Sequence, residues 1–207
     1  MPAASPAFSI FAATIARAVA PLEVHDAVMA KLAAACSLKT LAKGEHPLRA
    51  GDVAGHLYFV VAGLLRYYFV DHRTGDVRTG QFFDEGSIFT DAASFITGAP
   101  ATQSVEALED CTVLLVPRAA LDAGFGQDHA LERFGRLVVE EALIGSQRRT
   151  TNLLRLGPDE LYRTFVAARP EVARRVPQYL IASYLGITPE ALSRIRGRLA
   201  RRPPPNS

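Results

Sequence analysis

The stretch that most constrains the fold of this sequence is residues 178–199, QYLIASYLGITPEALSRIRGRL, whose pattern predicts two short helices joined by a tight turn. Gly186 supplies the turn. Thr188 is a good N-cap, and Pro189 suits the first helical position, where a missing N–H costs nothing. Inward-facing apolar residues recur at helical spacing, and a small residue lets the helices cross closely: Ile181, Ala182, Leu185, Ile187, Leu192 and Ile195.

The outward face of the second predicted helix is polar and mostly basic. The residues on this face are Glu190, Ser193, Arg194, Gly197 and Arg201. Arginine can bind a guanine edge through two hydrogen bonds, and glutamate can accept one from a cytosine amino group. The pattern therefore favours a helix-turn-helix that enters the major groove of DNA over an ordinary amphipathic hairpin with a solvated face.

The distribution of charge supports this interpretation better than its total. A net charge of +2 is too small to indicate nucleic-acid binding by itself. Residues 194–202, however, contain five arginines and no acid. Like charges near a terminus are usually a solvated tail, but three of these arginines lie in or next to the predicted second helix.

The cysteine content and hydropathy place the chain in a cellular compartment. Cys36 and Cys111 lie far apart in apolar surroundings, which predicts buried free thiols rather than a disulfide or a metal pair. The sequence contains no signal-peptide pattern and no run of about 18 apolar residues. We therefore expect a soluble cytoplasmic protein with no membrane partner.

The texture upstream predicts an α+β fold. Residues 1–20 are Ala-rich and fit either a helix or a disordered arm, and residues 22–38 have helical spacing. Residues 41–116 alternate short β-branched and aromatic runs with turn signals, which indicates an antiparallel β-barrel or jelly roll. Within it, residues 88–98 lack strand alternation and predict a short helix, a feature that often backs a pocket.

Beyond Pro117 the pattern is helical. Residues 127–156 contain no proline and predict a helix of about 45 Å, longer than one small domain can cover. We expect it to pair with its own copy in a twofold dimer, with a helix lying across the barrel as the alternative. Its apolar stripe consists of Leu131, Phe134, Val138, Ala142 and Gly145, with Leu137 and Ile144 beside it.

These elements suggest three units. Residues 1–126 form an effector-sensing barrel domain with an N-terminal helix, and residues 127–156 form the dimerisation helix. Residues 157–207 form the helix-turn-helix domain, which includes shorter helices over 159–168 and 171–176.

A barrel, a long helix and a C-terminal helix-turn-helix, in that order, resemble the cyclic-AMP receptor protein and FNR (Crp-Fnr) family of bacterial transcription regulators. In the barrel, the resemblance is carried by turn glycines and core aromatics: Gly44-Glu45, Gly51-Asp52, Leu57-Tyr58-Phe59-Val60, Gly63, Phe82-Phe83, Glu85-Gly86 and Ala107-Leu108-Glu109-Asp110. At the C-terminal end it is carried by Pro177-Gln178, Ile181-Ala182, Leu185-Gly186, Thr188, Glu190 and Leu192-Ser193-Arg194.

The resemblance implies a homodimeric, sequence-specific regulator that binds a palindromic double-stranded operator and responds to an unknown small-molecule effector. RNA polymerase is a further partner that it allows, and no cofactor is expected. Arg194 and Glu190 would read bases. The other DNA contacts would be to phosphates, by Gln178, Thr188, Ser193, Arg196, Arg198 and Arg201.

In that family, a Gly-Glu pair holds the ribose hydroxyl and an Arg-Ser or Arg-Thr pair holds the cyclic phosphate. Aligning on Val105 and Ala107 places Thr90-Asp91 at the first pair and Ala101-Thr102 at the second, so the arginine is missing. A buried phosphate without its charge partner would lose several kcal/mol. We therefore predict that cyclic AMP is not bound with physiological affinity. The candidate pocket residues are Asp91, Ala92, Ala101 and Thr102, and Asp91 has a plain alternative role as a helix cap.

Other sensing chemistries have less support. An iron-sulfur cluster of the FNR kind needs four thiolates, and the chain has two cysteines. Haem-sensing relatives use a barrel His or Cys, for which His56 and His72 are candidates. A cupin-like metalloenzyme would need clustered histidines, whereas His46, His56 and His72 are single and scattered.

An enzyme is not expected, because the sequence has no nucleophile–base–acid set, P-loop or dinucleotide glycine motif. The acidic pairs Asp84-Glu85 and Glu140-Glu141 are interpreted as solvated turn and helix residues. A small-molecule sensor that has lost DNA binding stays open as an alternative, although Arg194 and the basic tail argue against it.

Overall fold

The computed structural model of the chain describes the backbone of residues 5–201 and the side chains of residues 5–199. Two helices precede a β-sandwich, and the rest of the described chain is helical. The helices are α1 (Pro6–Val19), α2 (Asp26–Ala35), α3 (Ala92–Thr97), α4 (Arg118–Phe125), α5 (His129–Arg155), α6 (Pro158–Ala168), α7 (Pro170–Arg175), α8 (Gln178–Leu185) and α9 (Pro189–Arg201). The strands are β1 (Ser37–Leu41), β2 (His56–Ala62), β3 (Leu65–Val70), β4 (Val77–Phe83), β5 (Ile88–Phe89), β6 (Ser104–Ala107) and β7 (Cys111–Pro117).

The strands form two antiparallel sheets that face each other, in the orders β1-β7-β2-β5 and β4-β3-β6. The fold is therefore a jelly roll of two separate sheets. The sequence allowed either a barrel or a jelly roll, and the closed barrel is the wrong alternative. The chain passes from one sheet to the other at Gly63, whose φ of 101° and contact with Cys111 exclude a side chain. Leu48 and Val105 form a single bridge outside the named strands.

The N-terminal segment, for which the sequence allowed a helix or a disordered arm, is a helix over the described residues. Residues 6–19 form α1, which packs on α5 and β2. Phe11 is fully buried, with its ring centroid 5.3 Å from that of Phe59 and 5.9 Å from that of Phe134. α1 therefore joins the start of the long helix to the sandwich through one apolar core.

Two predicted helices are shorter than expected. The helix predicted over residues 22–38 spans only Asp26–Ala35, because the chain turns into β1 at Ser37. The helix predicted over residues 88–98 spans only Ala92–Thr97, since Ile88 and Phe89 pair with β2 as β5. The bounds of α5 and of α6 to α9 lie within two residues of those predicted.

The four C-terminal helices share a core with the sandwich rather than standing apart from it. Leu64 of the β2–β3 turn and Phe82 of β4 belong to the same buried cluster as Phe165, Ile181 and Leu192. α8 packs directly on β4. The helix-turn-helix is therefore docked on the sandwich of its own chain.

Both cysteines are free thiols, as predicted. Cys111 is buried and Cys36 is half-buried, and burial raises the pKa of Cys36 to about 11. Among residues 5–201, no helix is long and apolar enough to cross a membrane.

The start of α5 is fixed by one buried carboxylate. Asp128 accepts hydrogen bonds from the backbone N–H groups of Leu131 and His25, both at 2.9 Å, and its Oδ2 lies 2.6 Å from Nδ1 of His25. Burial raises the pKa of Asp128, but these hydrogen bonds outweigh burial and lower it to about 2. Asp128 thus caps α5 and ties it to the loop that leads into α2.

We expect Asp128→Ala to lower the free energy of unfolding by about 2–3 kcal/mol at pH 7, because it removes an N-cap and leaves buried donors unpaired. The Asp128 pKa is depressed on folding, so this stability is present above about pH 4 and is lost as the pH falls toward 2. Urea unfolding at several pH values measures both effects. Asp122→Ala, on the exposed surface of α4, is the control and should change stability by less than about 0.5 kcal/mol. Equal effects of the two variants would contradict the capping role.

Candidate nucleic-acid interface and effector cavity

The helix-turn-helix has the local structure that its sequence predicts. Gly186 adopts a left-handed φ of 69° at the end of α8, and the Ile187 N–H donates to the Ala182 carbonyl at 3.0 Å. The Thr188 hydroxyl accepts the Ala191 N–H at 3.2 Å, and α9 begins at Pro189. Turn and cap together set the crossing of α8 and α9.

Burial of α9 follows the predicted two faces. Leu192 and Ile195 are 1% and 2% exposed and pack toward α8 and α6, whereas Ile187 is half-buried. The opposite face is open to solvent over the described residues. Its exposed members are Glu190, Ser193, Arg194, Arg196, Gly197 and Arg198.

Not all predicted DNA-contact residues stand free on this face. Arg198 makes an ion pair with Asp159 of α6 at 2.6 Å. Gln178 is the first residue of α8 and half-buried, with its Oε1 buried and without a protein partner. Thr188 is exposed but already caps α9. The side chain of Arg201 lies outside the described residues.

Glu190 is held as a carboxylate on the exposed face. Its pKa is lowered by a hydrogen bond to its own backbone N–H, then by one to the Thr188 hydroxyl and by the charge of Arg194. Glu190 and Arg194 are four residues apart on α9, the spacing at which side chains of a helix meet. The face therefore presents an acceptor and a cation side by side.

A column of aromatic rings fills the interior of the sandwich, where the predicted effector pocket would lie. Phe83 stacks on Phe89 at a centroid distance of 4.7 Å, and Phe89 stacks on Tyr58 at 4.9 Å. Tyr67 lies against Phe83 at 6.1 Å. A Cβ at Gly80 would lie 1.8 Å from the Tyr67 ring, so the glycine is what makes room for it.

The remaining cavity measures about 10 Å³, enough for one water molecule. Ligand pockets for small molecules are usually roughly 300–1,000 Å³. The cavity lining contains one carboxylate and no cation: Leu48, Tyr67, Phe83, Phe89, Thr90, Asp91, Gln103 and Val105. This space holds neither the volume nor the positive charge that a cyclic nucleotide needs.

Of the four candidate pocket residues, only Asp91 lines the cavity. It is buried and caps α3 by accepting the Ser94 N–H at 2.9 Å, and it also accepts the Thr102 N–H at 3.3 Å. Ala101 is buried in backbone pairing with Gly51 and Asp52. Ala92 and Thr102 are exposed. The cap role, which the sequence offered as the plain alternative, accounts for Asp91.

A second, open concavity of about 360 Å³ lies on the outer surface beside Tyr67, and the sequence did not predict it. It is lined by Phe69, Val70, His72, Thr102 and Gln103 as well as Tyr67. The haem candidate His72 is thus an exposed groove residue, and His56 is half-buried elsewhere on β2.

The histidines do not assemble into a metal site. His46 Nε2 lies 2.9 Å from the Tyr68 hydroxyl. Within residues 5–201, no group of three or more His, Cys, Asp or Glu side chains is placed to hold a metal ion. This arrangement gives the cupin-like alternative no ligand set.

The acidic pair Asp84-Glu85 lies at a turn with Glu85 exposed, as interpreted from sequence, but it also binds the C-terminal helices, which the sequence did not predict. Arg169 donates to Asp84 at 2.7 Å and to the Phe82 carbonyl at 2.8 Å. Arg175 donates to both oxygens of Glu85, at 2.8 and 3.0 Å, and also pairs with Glu109. These contacts join positions more than 60 residues apart, which no local pattern could indicate.

The long helix also contacts the helix-turn-helix. Arg149 of α5 donates to the Tyr184 carbonyl at 3.0 Å, and its guanidinium lies 4.1 Å from the centre of the Tyr184 ring. The pKa of Tyr67 is raised, mainly by burial, although the nearby charge of Arg149 opposes the shift.

The apolar stripe of α5 divides between two environments. Leu131 and Phe134 are buried against α1, so the start of the predicted dimer stripe belongs to the core of its own chain. Farther along the predicted stripe, Val138 is half-buried and Ala142 is exposed. Ile144 beside the stripe is 61% exposed, and Val139 and Leu143, which lie outside the predicted set, are 57% and 58% exposed. A run of large apolar side chains on one exposed helix is unusual for a monomer surface.

Comparison with known proteins agrees with this architecture. Residues 38–128 match the family model described as cyclic nucleotide-binding domain. FixK2 from Bradyrhizobium japonicum is 24% identical with a TM-score of 0.71, over 80% of this chain and 85% of that one. A search of curated proteins gave no match.

Two other solved structures extend the likeness. CLP from Xanthomonas campestris, a c-di-GMP-responsive global regulator, is 17% identical with a TM-score of 0.67, over 86% of this chain and 92% of that one. A protein from Eubacterium rectale, assigned to the Crp/Fnr family of transcriptional regulators, is 14% identical with a TM-score of 0.68, over 86% and 84%.

Residues 38–128, which contain the sandwich, are therefore similar in sequence to a cyclic nucleotide-binding domain. The fold of the whole chain is that of the Crp/Fnr transcription regulators, which confirms the resemblance predicted from its sequence.

Proposed function

We propose that this chain is a homodimeric, sequence-specific DNA-binding transcription regulator of the Crp-Fnr type. The observation that carries the proposal is α9, whose apolar face is buried while its face with Glu190, Ser193, Arg194 and Arg196 is exposed. An exposed, mostly basic helix after a tight turn has the shape and charge that a major groove accepts. The three-unit division into residues 1–126, 127–156 and 157–207 is part of this proposal.

In the proposed complex, Arg194 binds a guanine edge and Glu190 accepts from a cytosine amino group. Ser193, Thr188 and Gln178 contact phosphates near helix N-termini, and Arg196 and Arg201 add positive charge along the backbone. Arg198 reaches a phosphate only by leaving Asp159, so its contribution is smaller than that of a free arginine. RNA polymerase contact stays a prediction from the resemblance.

The exposed apolar residues of α5 support a twofold dimer. Val139, Leu143 and Ile144 lie within six residues of one another on a helix of 27 residues, about 40 Å long. A second α5 packed against them would remove this apolar surface from water. The two α9 helices would then lie in successive major grooves about 34 Å apart.

The filled interior of the sandwich supports the further proposal that cyclic AMP is not an effector. The aromatic column occupies the interior, and the cavity of about 10 Å³ has no cation. A small-molecule sensor without DNA binding remains the alternative. The DNA-selection experiment below discriminates between them.

We expect in vitro selection from a random duplex library to enrich a palindrome with half-sites about 10 base pairs apart, centre to centre. On that duplex, Arg194→Ala should cost about 1–3 kcal/mol and relax one base position, because Arg194 reads a base. Fluorescence titration measures the loss. Arg17→Ala, which removes the same charge from exposed α1, is the control and should leave specific affinity unchanged. An equal loss for Arg194→Ala on random DNA would contradict base reading, and a library with no enriched sequence would contradict DNA recognition itself.

We expect Ile144→Glu combined with Leu143→Glu to convert the dimer to monomers, because two carboxylates would be buried in the proposed helix pair. Sedimentation equilibrium should give the 22.4 kDa chain mass for this variant and twice that mass for the unmodified protein. The control is Ile96→Glu, at a 60% exposed apolar position on α3. A monomeric unmodified protein, or a dimer that survives both substitutions, would show that α5 is not the interface.

We expect isothermal titration with cyclic AMP at concentrations up to about 1 mM to give no binding heat. Ala101→Arg tests the reason, since it restores a cation at the aligned position without enlarging the cavity. This variant should also fail to bind. Micromolar binding by the unmodified protein would overturn the proposal, and binding only by the variant would show that the missing charge, not the closed interior, prevents binding.

A further inference from the structure

The helix-turn-helix is held on the sandwich at three kinds of contact, each from a different part of the domain. The first is apolar: the Phe82 ring lies 6.2 Å from that of Phe165 and 5.2 Å from that of Tyr184. The second is a backbone contact, in which the Thr79 N–H donates to Ser183 Oγ at 3.0 Å and this hydroxyl donates to the Val77 carbonyl at 3.3 Å. Together they seat α8 along β4.

The third contact is ionic and is made by Arg175. Arg175 ends α7 and reaches two turns of the sandwich at once, binding Glu85 after β4 and Glu109 before β7. Glu85 is itself fixed, because its Oε1 accepts the Gly63 N–H at 2.8 Å. A two-pronged guanidinium contact defines an angle as well as a distance, which an apolar contact alone does not.

The docked arrangement leaves the recognition face of α9 uncovered. Arg194, Ser193 and Glu190 are exposed, while the ring, hydrogen-bond and ion-pair contacts described above are made by α6, α7 and α8 or the residues between them. The contact is therefore compatible with DNA binding. The closed interior of the sandwich, with its cavity of about 10 Å³, leaves this orientation to be set by the chain itself.

Resting on the proposed function, we infer that Arg175 is a positioning residue for DNA recognition: clamped by Glu85 and Glu109, it fixes the angle of α9 on its own sandwich and thereby sets the spacing of the two recognition helices in the dimer without an effector. In the proposed dimer the two sandwiches are joined through α5. A change in the angle between each helix-turn-helix and its own sandwich therefore changes the distance between the two α9 helices. The clamp then determines which half-site spacing the dimer accepts, while each α9 reads its own half-site unaided.

Arg174 provides a matched control one residue away. It is exposed and pairs only with Glu171 of the same helix, so its removal changes charge and helix content as Arg175 removal does but leaves the clamp in place. The probes are the selected palindrome, copies with one or two base pairs inserted or deleted between half-sites, and a single half-site. Affinities are measured for the full chain.

For the unmodified protein and Arg174→Met, we expect affinity to fall at least 10-fold when the spacing changes by one base pair. For Arg175→Met, affinity for the selected palindrome should fall about 10-fold and the preference among spacings should shrink below 3-fold, with half-site affinity unchanged. Glu85→Gln combined with Glu109→Gln should reproduce this profile, and adding Arg175→Met to that pair should have little further effect, because all three act through one contact.

A spacing preference retained by Arg175→Met would overturn the inference, as would an equal loss on the half-site, which would indicate local damage to the helix-turn-helix. If the unmodified protein selects no palindrome at all, the proposed function fails instead. The two failures are therefore distinguishable.

Discussion

The pair Phe82-Phe83 at the end of β4 connects the two halves of the molecule. Adjacent residues of a strand point to opposite faces, and here Phe83 enters the aromatic column of the sandwich while Phe82 packs on Phe165 and Tyr184. One strand therefore supports both the interior of the sandwich and the surface on which the helix-turn-helix packs. A change in the column cannot move β4 without acting on that surface, since packed interiors transmit strain.

The aromatic column fills the interior of the sandwich with side chains of the protein itself. A sandwich built around a ligand pocket exposes apolar lining or carries buried charge when it is empty, and both cost free energy. Here Tyr67, Phe83 and Phe89 fill the space. The Tyr67 ring fits because residue 80 is a glycine and has no side chain. The same packing that stabilises the sandwich by burying aromatic area removes the room for a nucleotide in its interior.

Sequence patterns predicted the local features and missed the long-range ones. Thr188-Pro189, the proline-free stretch of α5 and the turn at Gly186 were found because caps, breaks and periodicity act over a few residues. The function of Asp84-Glu85 was missed, because their partners Arg169 and Arg175 lie more than 80 residues away.

The remaining errors have the same origin. Whether short strands close into a barrel depends on which edges pair, and within residues 5–201 no strand of one sheet pairs with a strand of the other. The missing arginine at Ala101 was visible in the sequence, whereas the filling of the interior depended on four aromatic residues from different strands meeting in space.

The charges of the proposed DNA face favour selectivity over affinity. Non-specific binding rises with each cation that neutralises a phosphate, yet this face carries the ionised Glu190, and Arg198 is partly neutralised by Asp159. A carboxylate at the groove repels phosphate unless a cytosine amino group is there to donate to it. Binding to arbitrary sequences is thus weakened more than binding to a matching site. With net charge of only +2 on the chain, the ratio of specific to non-specific affinity has to come from such local pairs rather than from overall electrostatic attraction.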